Sequence, residues 1–132
     1  MDPVVHFEMP YEDKERMAHF YAVAFDWKTN MLGPEMGNYV VAMTSETDEA
    51  TKRPKKPGTI DGGFYQMPED ELGKHPSVVI SVRDIRESMK KIEAGGGRVL
   101  GEPMEIPTVG LYVSFLDTEG NRVSLLEPSE EM

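Results

Sequence analysis

The feature that most constrains the fold of this chain is an internal repeat. A strand-like apolar run from Val4 leads into a helix-like segment capped by Asp13, and the same order returns from Ser77 with Asp84 as the cap. His6 precedes Asp13 by seven residues and Ser77 precedes Asp84 by seven, so the two halves superpose without a gap. Each half continues with further short strands. The sequence therefore predicts an α+β protein built from two βαβββ repeats.

The spacing of apolar residues predicts the elements of each repeat within one domain, 1–132. The first module, 4–67, is predicted to hold strands at 4–9, 38–43 and 60–67, and a helix at 13–25 with Met17, Phe20, Tyr21 and Ala24 on its buried face. The second module, 76–128, is predicted to hold strands at 77–82, 98–100, 111–116 and 122–126, a helix at 84–94 and a proline-containing loop at 101–110.

The two faces of the predicted sheets differ in polarity. One helix covers only one face of a sheet, so two such units are expected to close as curved sheets around a ligand-sized cup. Alternation predicts an apolar face beneath the helices, made of Val5, Phe7, Val78, Ile80, Val82, Val123 and Leu125. It predicts a ligand-binding face made of His6, Glu8, Ser77, Val79, Ser81, Ser124 and Leu126. Tyr112 and Ser114 are candidates for that face, although the sequence does not fix which alternate residues of strand 111–116 point inward.

Composition narrows the possible partners. With 24 acidic and 14 basic residues, the formal net charge of -10 disfavours nucleic acid and anionic membrane surfaces. No run of eighteen apolar residues is present, and Met1, Asp2 and Pro3 do not begin a signal peptide. The absence of cysteine excludes disulfides, cysteine zinc clusters and thiol nucleophiles. A soluble cytoplasmic protein is expected, with chemistry limited to oxygen, imidazole and backbone groups.

Three segments resemble the vicinal oxygen chelate superfamily, which groups glyoxalase I, bleomycin-resistance proteins and extradiol dioxygenases. They are Val4-Val5-His6-Phe7-Glu8 with Asp13, Phe20-Tyr21 and Phe25-Asp26-Trp27; Ser81-Val82-Arg83-Asp84-Ile85 with Ala94-Gly95-Gly96-Gly97; and Asp117-Thr118-Glu119-Gly120-Asn121 before Val123-Ser124-Leu125. Asp26 replaces a usual glycine, and Thr118 replaces a usual proline. The resemblance implies the glyoxalase/bleomycin-resistance/dioxygenase fold but no particular reaction.

The resemblance also implies metal ligands at fixed offsets: seven residues before each helix cap and four after the glycine of the closing turn. Those positions hold His6, Ser77 and Ser124, and two of them are serine. His75 and Glu127 do not replace them, because His75 lies two residues before Ser77 and Glu127 should point to the opposite face. We therefore expect no metal and no other cofactor.

The alternative is a divalent metal held near His6 by oxygen ligands that include Glu8 and Asp61.

Three functions remain open from the sequence. The first is a homodimeric protein that binds a small organic ligand in its cup without the metal site. The second is a divalent-metal-dependent lyase or dioxygenase of the same superfamily, and the third is an interaction protein with a vestigial cup. If the protein is an enzyme, His6 and Glu8 are the catalytic candidates, since a His–Glu pair can act as a general base.

Overall fold

The computed structural model describes residues 1–129, which divide into two compact halves. The first half is His6–Pro76, and the second combines Met1–Val5 with the chain from Ser77 onward. The Ser81 backbone N–H donates to the Pro3 carbonyl, which joins the N-terminal residues to the second half. Each half contains one α-helix and four strands in the order β-α-β-β-β, so the predicted α+β repeat is confirmed. The first half also has two short 3₁₀ helices, Pro34–Met36 and Glu71–Gly73.

The sheet of the first half has the strand order β2-β3-β4-β1, with β1 parallel to β4 and the other pairs antiparallel. The elements are β1 (Val4–Tyr11), α1 (Lys14–Phe25), β2 (Lys28–Met31), β3 (Val40–Met43) and β4 (Asp61–Gln66). Strand β2 was not predicted, because the sequence Lys-Thr-Asn-Met shows no apolar alternation. Its extended conformation comes from antiparallel pairing with β3.

Helix α1 begins as predicted, with the Asp13 carboxylate accepting a hydrogen bond from the Arg16 backbone N–H at 3.0 Å. The predicted buried face is wrong at Phe20 and Ala24, which are exposed, whereas Ala18 is buried. The helix is apolar almost all the way round from residue 17 to 25, so periodicity could not select the face that packs on the sheet.

The sheet of the second half has the strand order β5-β8-β7-β6, with β5 parallel to β8. The elements are β5 (Ser77–Ser81), α2 (Ile85–Ala94), β6 (Arg98–Ile106), β7 (Gly110–Leu116) and β8 (Arg122–Pro128). The predicted loop at 101–110 is wrong, since β6 continues to Ile106 across a register shift between Leu100 and Met104. Gly101, at φ 98°, and Pro103 lie within this bulge, which accommodates both residue types in an edge strand.

Each helix packs on its own sheet through a separate apolar core. The first core contains Tyr11, Val40, Ala42 and Phe64, and the second contains Val82, Ile85, Val113, Phe115 and Leu125. Two members of the predicted apolar face are exposed instead, Val5 at 38% and Val78 at 36%. The helix-facing cores start at Phe7 on β1 and at Ile80 on β5, so these two valines lie beyond the part of each sheet that the helix covers.

Candidate functional site

The polar face of the first half carries His6 and Glu8, as predicted. Phe7 packs into the core on the opposite face, so alternation along β1 places both polar side chains away from helix α1. The parallel register sets His6 beside Asp61 and Glu8 beside Gly63 on β4. Glu8 is only 7% exposed, which is unusual for a carboxylate and requires polar partners.

Tyr39 provides that partner and was missed by the sequence analysis. Its hydroxyl donates to Glu8 Oε2 at 2.9 Å and lies 3.0 Å from His6 Nε2. The three side chains form a hydrogen-bonded chain that we call the His6 cluster. The sequence feature that indicated a close contact here was Gly63, because the phenol of Tyr39 occupies the space where a Cβ on Gly63 would stand.

The contacts of the His6 cluster determine the tautomer of the imidazole. Because the Tyr39 hydroxyl gives its only proton to Glu8, it must accept from His6, so the proton of neutral His6 resides on Nε2. Burial lowers the His6 pKa below 6.5, while the carboxylates of Glu8 and Asp61 oppose that shift. His6 is therefore a neutral imidazole near pH 7, with its ring lone pair on Nδ1.

Replacing Glu8 with glutamine is expected to lower the His6 pKa further. The carboxylate of Glu8 is the larger of the two charges that oppose burial, and Glu8→Gln removes it. NMR titration of the His6 ring carbons measures the change. Glu12→Gln, at an exposed position next to β1, is the matched control and should leave the titration unchanged. An equal or higher His6 pKa in Glu8→Gln would contradict this electrostatic assignment.

The pH dependence of stability should also report on His6. The folded-state pKa lies below the unfolded value of 6.5, so the unfolded chain takes up the proton first as the pH falls. This contribution to stability is complete above pH 6.5 and is lost as the pH falls through the folded-state pKa. Urea unfolding measured from above pH 6.5 to acidic pH should therefore show a steeper loss of the free energy of unfolding for the wild type than for His6→Asn. Parallel pH profiles of the two proteins would contradict a lowered pKa of His6.

The polar face of the second half is fixed by the pairing of β7 with β8. Ser114 pairs with Ser124 and Tyr112 pairs with Leu126, while Val113 lies in the core, so Tyr112 and Ser114 do share the face of Ser124. Ser124 is fully buried, and its Oγ lies 2.8 Å from both the Tyr112 hydroxyl and the Ser114 hydroxyl. Val79 and Ser81 on β5 pair with Ser124 and Leu126, respectively.

Arg122 is a second functional candidate that the sequence analysis did not identify. It precedes Ser124 by two residues on β8 and therefore lies on the same polar face. Its Nη2 donates to Ser77 Oγ at 3.3 Å, so the buried Ser77 holds a half-buried guanidinium. Alternation along β8 alone would place Arg122 on this face. The sequence does not show that its hydrogen-bond partner on the neighbouring strand is Ser77.

The structure thus divides the predicted ligand-binding residues into two sets, one on each sheet. The first set is His6 and Glu8; the second is Ser77, Val79, Ser81, Tyr112, Ser114, Ser124 and Leu126. Their roles in ligand binding remain predictions.

The positions implied for metal ligands do not fit a divalent transition metal. Ser77 and Ser124 offer neutral hydroxyls that are already hydrogen-bonded, and the Arg122 guanidinium beside Ser77 repels a cation. Within residues 1–129, no three His, Cys, Asp or Glu side chains are grouped closely enough to hold a metal ion.

His75 and Glu127 do not complete such a site. His75 is exposed, and Glu127 Oε1 accepts from the backbone N–H of Ile85 at 2.9 Å. Glu127 therefore points toward the start of helix α2 and away from the polar face, as alternation predicts.

No helix within residues 1–129 combines the length and the apolar character needed to span a bilayer.

Comparison with known proteins gives relatives that are similar in sequence. A glyoxylase-like domain-containing protein of Didymella fabae is 31% identical over 117 residues, which cover 86% of this chain and 84% of that protein. A candidate glyoxylase present in both Mycobacterium tuberculosis and Mycobacterium bovis is 33% identical over 70 residues, 53% of this chain. That match spans 27% of the length of the mycobacterial proteins.

Solved structures of low sequence identity share the architecture. A hypothetical protein from Bacillus halodurans superposes with a TM-score of 0.69 at 14% identity, covering 99% of this chain and 97% of that one. Methylmalonyl-CoA epimerase from Mycobacterium tuberculosis superposes with a TM-score of 0.66 at 14% identity, covering 96% and 88%. A family model matches residues 4–125. The chain belongs to the Glyoxalase/Bleomycin resistance protein/Dioxygenase superfamily.

Proposed function

We propose that this chain binds a small organic ligand on the polar faces of its sheets without the metal site of its superfamily. The observation that carries the proposal is the state of the three expected ligand positions. His6 Nε2 contacts Tyr39, Ser77 accepts from Arg122, and Ser124 joins a hydroxyl network. These side chains are organised by protein hydrogen bonds, which orient a few polar groups beside apolar residues, as is typical of small-molecule sites.

Ligand-induced stabilisation after treatment with a chelator tests this function. A compound present at 100 times its dissociation constant should raise the free energy of unfolding by about 2.7 kcal/mol. A thermal-denaturation screen of small phenols, amides and organic acids measures the effect. Stabilisation by at least one compound, undiminished by the chelator, is expected. Stabilisation that appears only when a divalent metal is added would contradict the proposal.

A metal-dependent lyase or dioxygenase is the second candidate, and one observation favours it. The carboxylates of Glu8 and Asp61 both act electrostatically on His6, so the surroundings of this imidazole attract positive charge. Against it, Asp61 Oδ1 accepts from the Thr44 backbone N–H at 3.0 Å, and Glu8 accepts from Tyr39. One oxygen of each carboxylate is therefore already engaged by a protein donor.

The association state and location form part of the same proposal. We propose a homodimer in the cytoplasm, and the reducing compartment is consistent with a chain of zero cysteines. Sedimentation equilibrium over a wide concentration range tests the dimer, and a monomer mass throughout would exclude it.

A further inference from the structure

Strand β6 is the last strand of the sheet in the second half. Within residues 1–129 its one strand neighbour is β7, so the side of β6 away from β7 is an open edge, which we call the outer edge. Helix α2 does not cover it. A cavity of about 620 Å³ lies between the helix and the strand, lined by Arg86, Met89, Lys90, Glu93, Val99, Gly101 and Glu102. An uncovered edge of this kind is a template for pairing with a strand of another chain.

Two residues of β6 direct their backbone groups toward the outer edge. Val99 pairs with Phe115 and Glu105 pairs with Leu111, and these two β7 residues are four positions apart. Because the direction of the backbone groups alternates along a strand, Val99 and Glu105 have the same orientation. The Val99 N–H donates to a side chain of α2 and not to β7, so this orientation is outward.

The Glu93 carboxylate occupies one of these outward groups. Its Oε2 accepts from the Val99 N–H at 2.7 Å, a charge-assisted hydrogen bond to a donor that an added strand would need. Glu93 lies in the last turn of α2, where the helix dipole disfavours a negative charge. The dipole therefore does not account for a carboxylate at this position, whereas the bond to the edge strand does.

The outer edge of β6 is complementary to itself in the antiparallel direction. A second copy related by a two-fold axis would pair Val99 of each chain with Glu105 of the other. Both side chains lie on the helix side of the sheet, because their partners on β7 pack with the second core. Glu105 of one chain would then approach Arg86 and Lys90 of the other. Both cations already make exposed ion pairs within their own chain, so this attraction adds orientation and little affinity.

A bulge between these two positions limits the pairing to the ends of β6. Gly101 has a φ of 98° and Pro103 has no N–H, so the middle of the strand does not offer a regular ladder. A second copy would therefore be held by few backbone hydrogen bonds. The bond between Glu93 and Val99 removes a donor at both ends of such a symmetric interface.

We propose that the outer edge of β6 can bind the same edge of a second copy of this chain, and that the Glu93 carboxylate blocks this association by occupying the Val99 N–H. Removing the carboxylate frees the donor beside the apolar side chains of Met89 and Val99. The inference goes beyond the proposed ligand-binding function and does not depend on it. Any association of the wild type through another surface is the baseline for the test.

Sedimentation velocity of the full chain over a wide concentration range tests the inference. Glu93→Ala should self-associate at least about 100-fold more tightly than the wild type, because each pair of copies loses two blocking bonds and one charged hydrogen bond corresponds to about tenfold or more. Glu87→Ala removes the same charge from an exposed position on α2 and should associate as the wild type does. Equal association of Glu93→Ala and the wild type would overturn the inference.

A second substitution tests whether the association uses the outer edge. Glu105→Pro removes the other outward N–H of β6 at an exposed position, and edge strands accept proline. The double variant Glu93→Ala/Glu105→Pro should return to the association of the wild type, because each end of the interface loses a backbone bond and the proline ring meets the incoming carbonyl. A double variant that associates as tightly as Glu93→Ala would show that another surface is responsible and would overturn the inference.

Glu93→Asp provides the result if Glu93→Ala does not fold. It keeps the negative charge, but its side chain is one methylene shorter and reaches the Val99 N–H poorly. Folded Glu93→Asp should therefore self-associate more tightly than the wild type, and Glu105→Pro should reverse the increase. Association equal to that of the wild type would show that the hydrogen bond does not block the edge.

Discussion

Phe64→Ala is expected to lower the free energy of unfolding by about 3–5 kcal/mol. Phe64 on β4 is 2% exposed and is a large buried side chain of the first core. Its ring centroid is 5.3 Å from that of Tyr21 on α1 and 6.4 Å from that of Phe7 on β1. Truncation removes the side chain that joins helix to sheet, and the surrounding aromatic rings can fill the cavity only in part.

Chemical denaturation of the purified variants measures this effect, with Phe20→Ala as the matched control. Phe20 is an aromatic residue of the same half but is 56% exposed on helix α1. Its truncation should change stability by no more than about 0.5 kcal/mol, as is typical of surface positions. A loss for Phe20→Ala as large as that for Phe64→Ala would show that α1 packs on the sheet through the face predicted from the sequence.

Ile85→Ala should lower the free energy of unfolding by about 2–5 kcal/mol. Ile85 is 1% exposed, begins helix α2 and packs in the second core. The backbone hydrogen bond from Ile85 to Glu127 does not depend on the side chain, so the loss reports on packing.

The control for Ile85 is Val78→Ala in the same half. Val78 is 36% exposed, and its truncation should cost less than about 1 kcal/mol. Denaturant midpoints and slopes of the two variants distinguish the cases. If Val78→Ala were the more damaging substitution, the second core would extend along β5 beyond Ile80, as the sequence alone suggested.

The parts of the fold that the sequence predicted are those controlled by local chemistry. Asp13 and Asp84 cap their helices through backbone N–H groups three residues later, as their spacing indicates. Asp117 closes the last turn by accepting from the Asn121 backbone N–H at 2.9 Å. Since each contact lies within a few residues, the repeat and the family resemblance could both be recognised from the sequence.

The predictions that were wrong or incomplete concern residues whose structure depends on contacts with residues far away in the sequence. Strand β2 and the second part of β6 are extended because neighbouring strands pair with them, and neither carries a strong pattern of its own. Tyr39 and Arg122 were missed for the same reason, since Tyr39 meets residues 31 and 33 positions earlier and Arg122 meets a residue 45 positions earlier. Long-range register, which a single sequence does not specify, decides the composition of the candidate site.

Metal content is the most direct test of metal-free binding. Elemental analysis of the untagged protein is combined with melting temperatures after chelation and after addition of nickel, zinc, manganese or ferrous iron. Because Ser77 and Ser124 replace the implied ligands and Arg122 adds a positive charge, we expect far less than one metal per chain and no shift in melting temperature, in the wild type and in His6→Ala alike. Near-stoichiometric metal, whose removal lowers the melting temperature and which His6→Ala loses, would contradict the account.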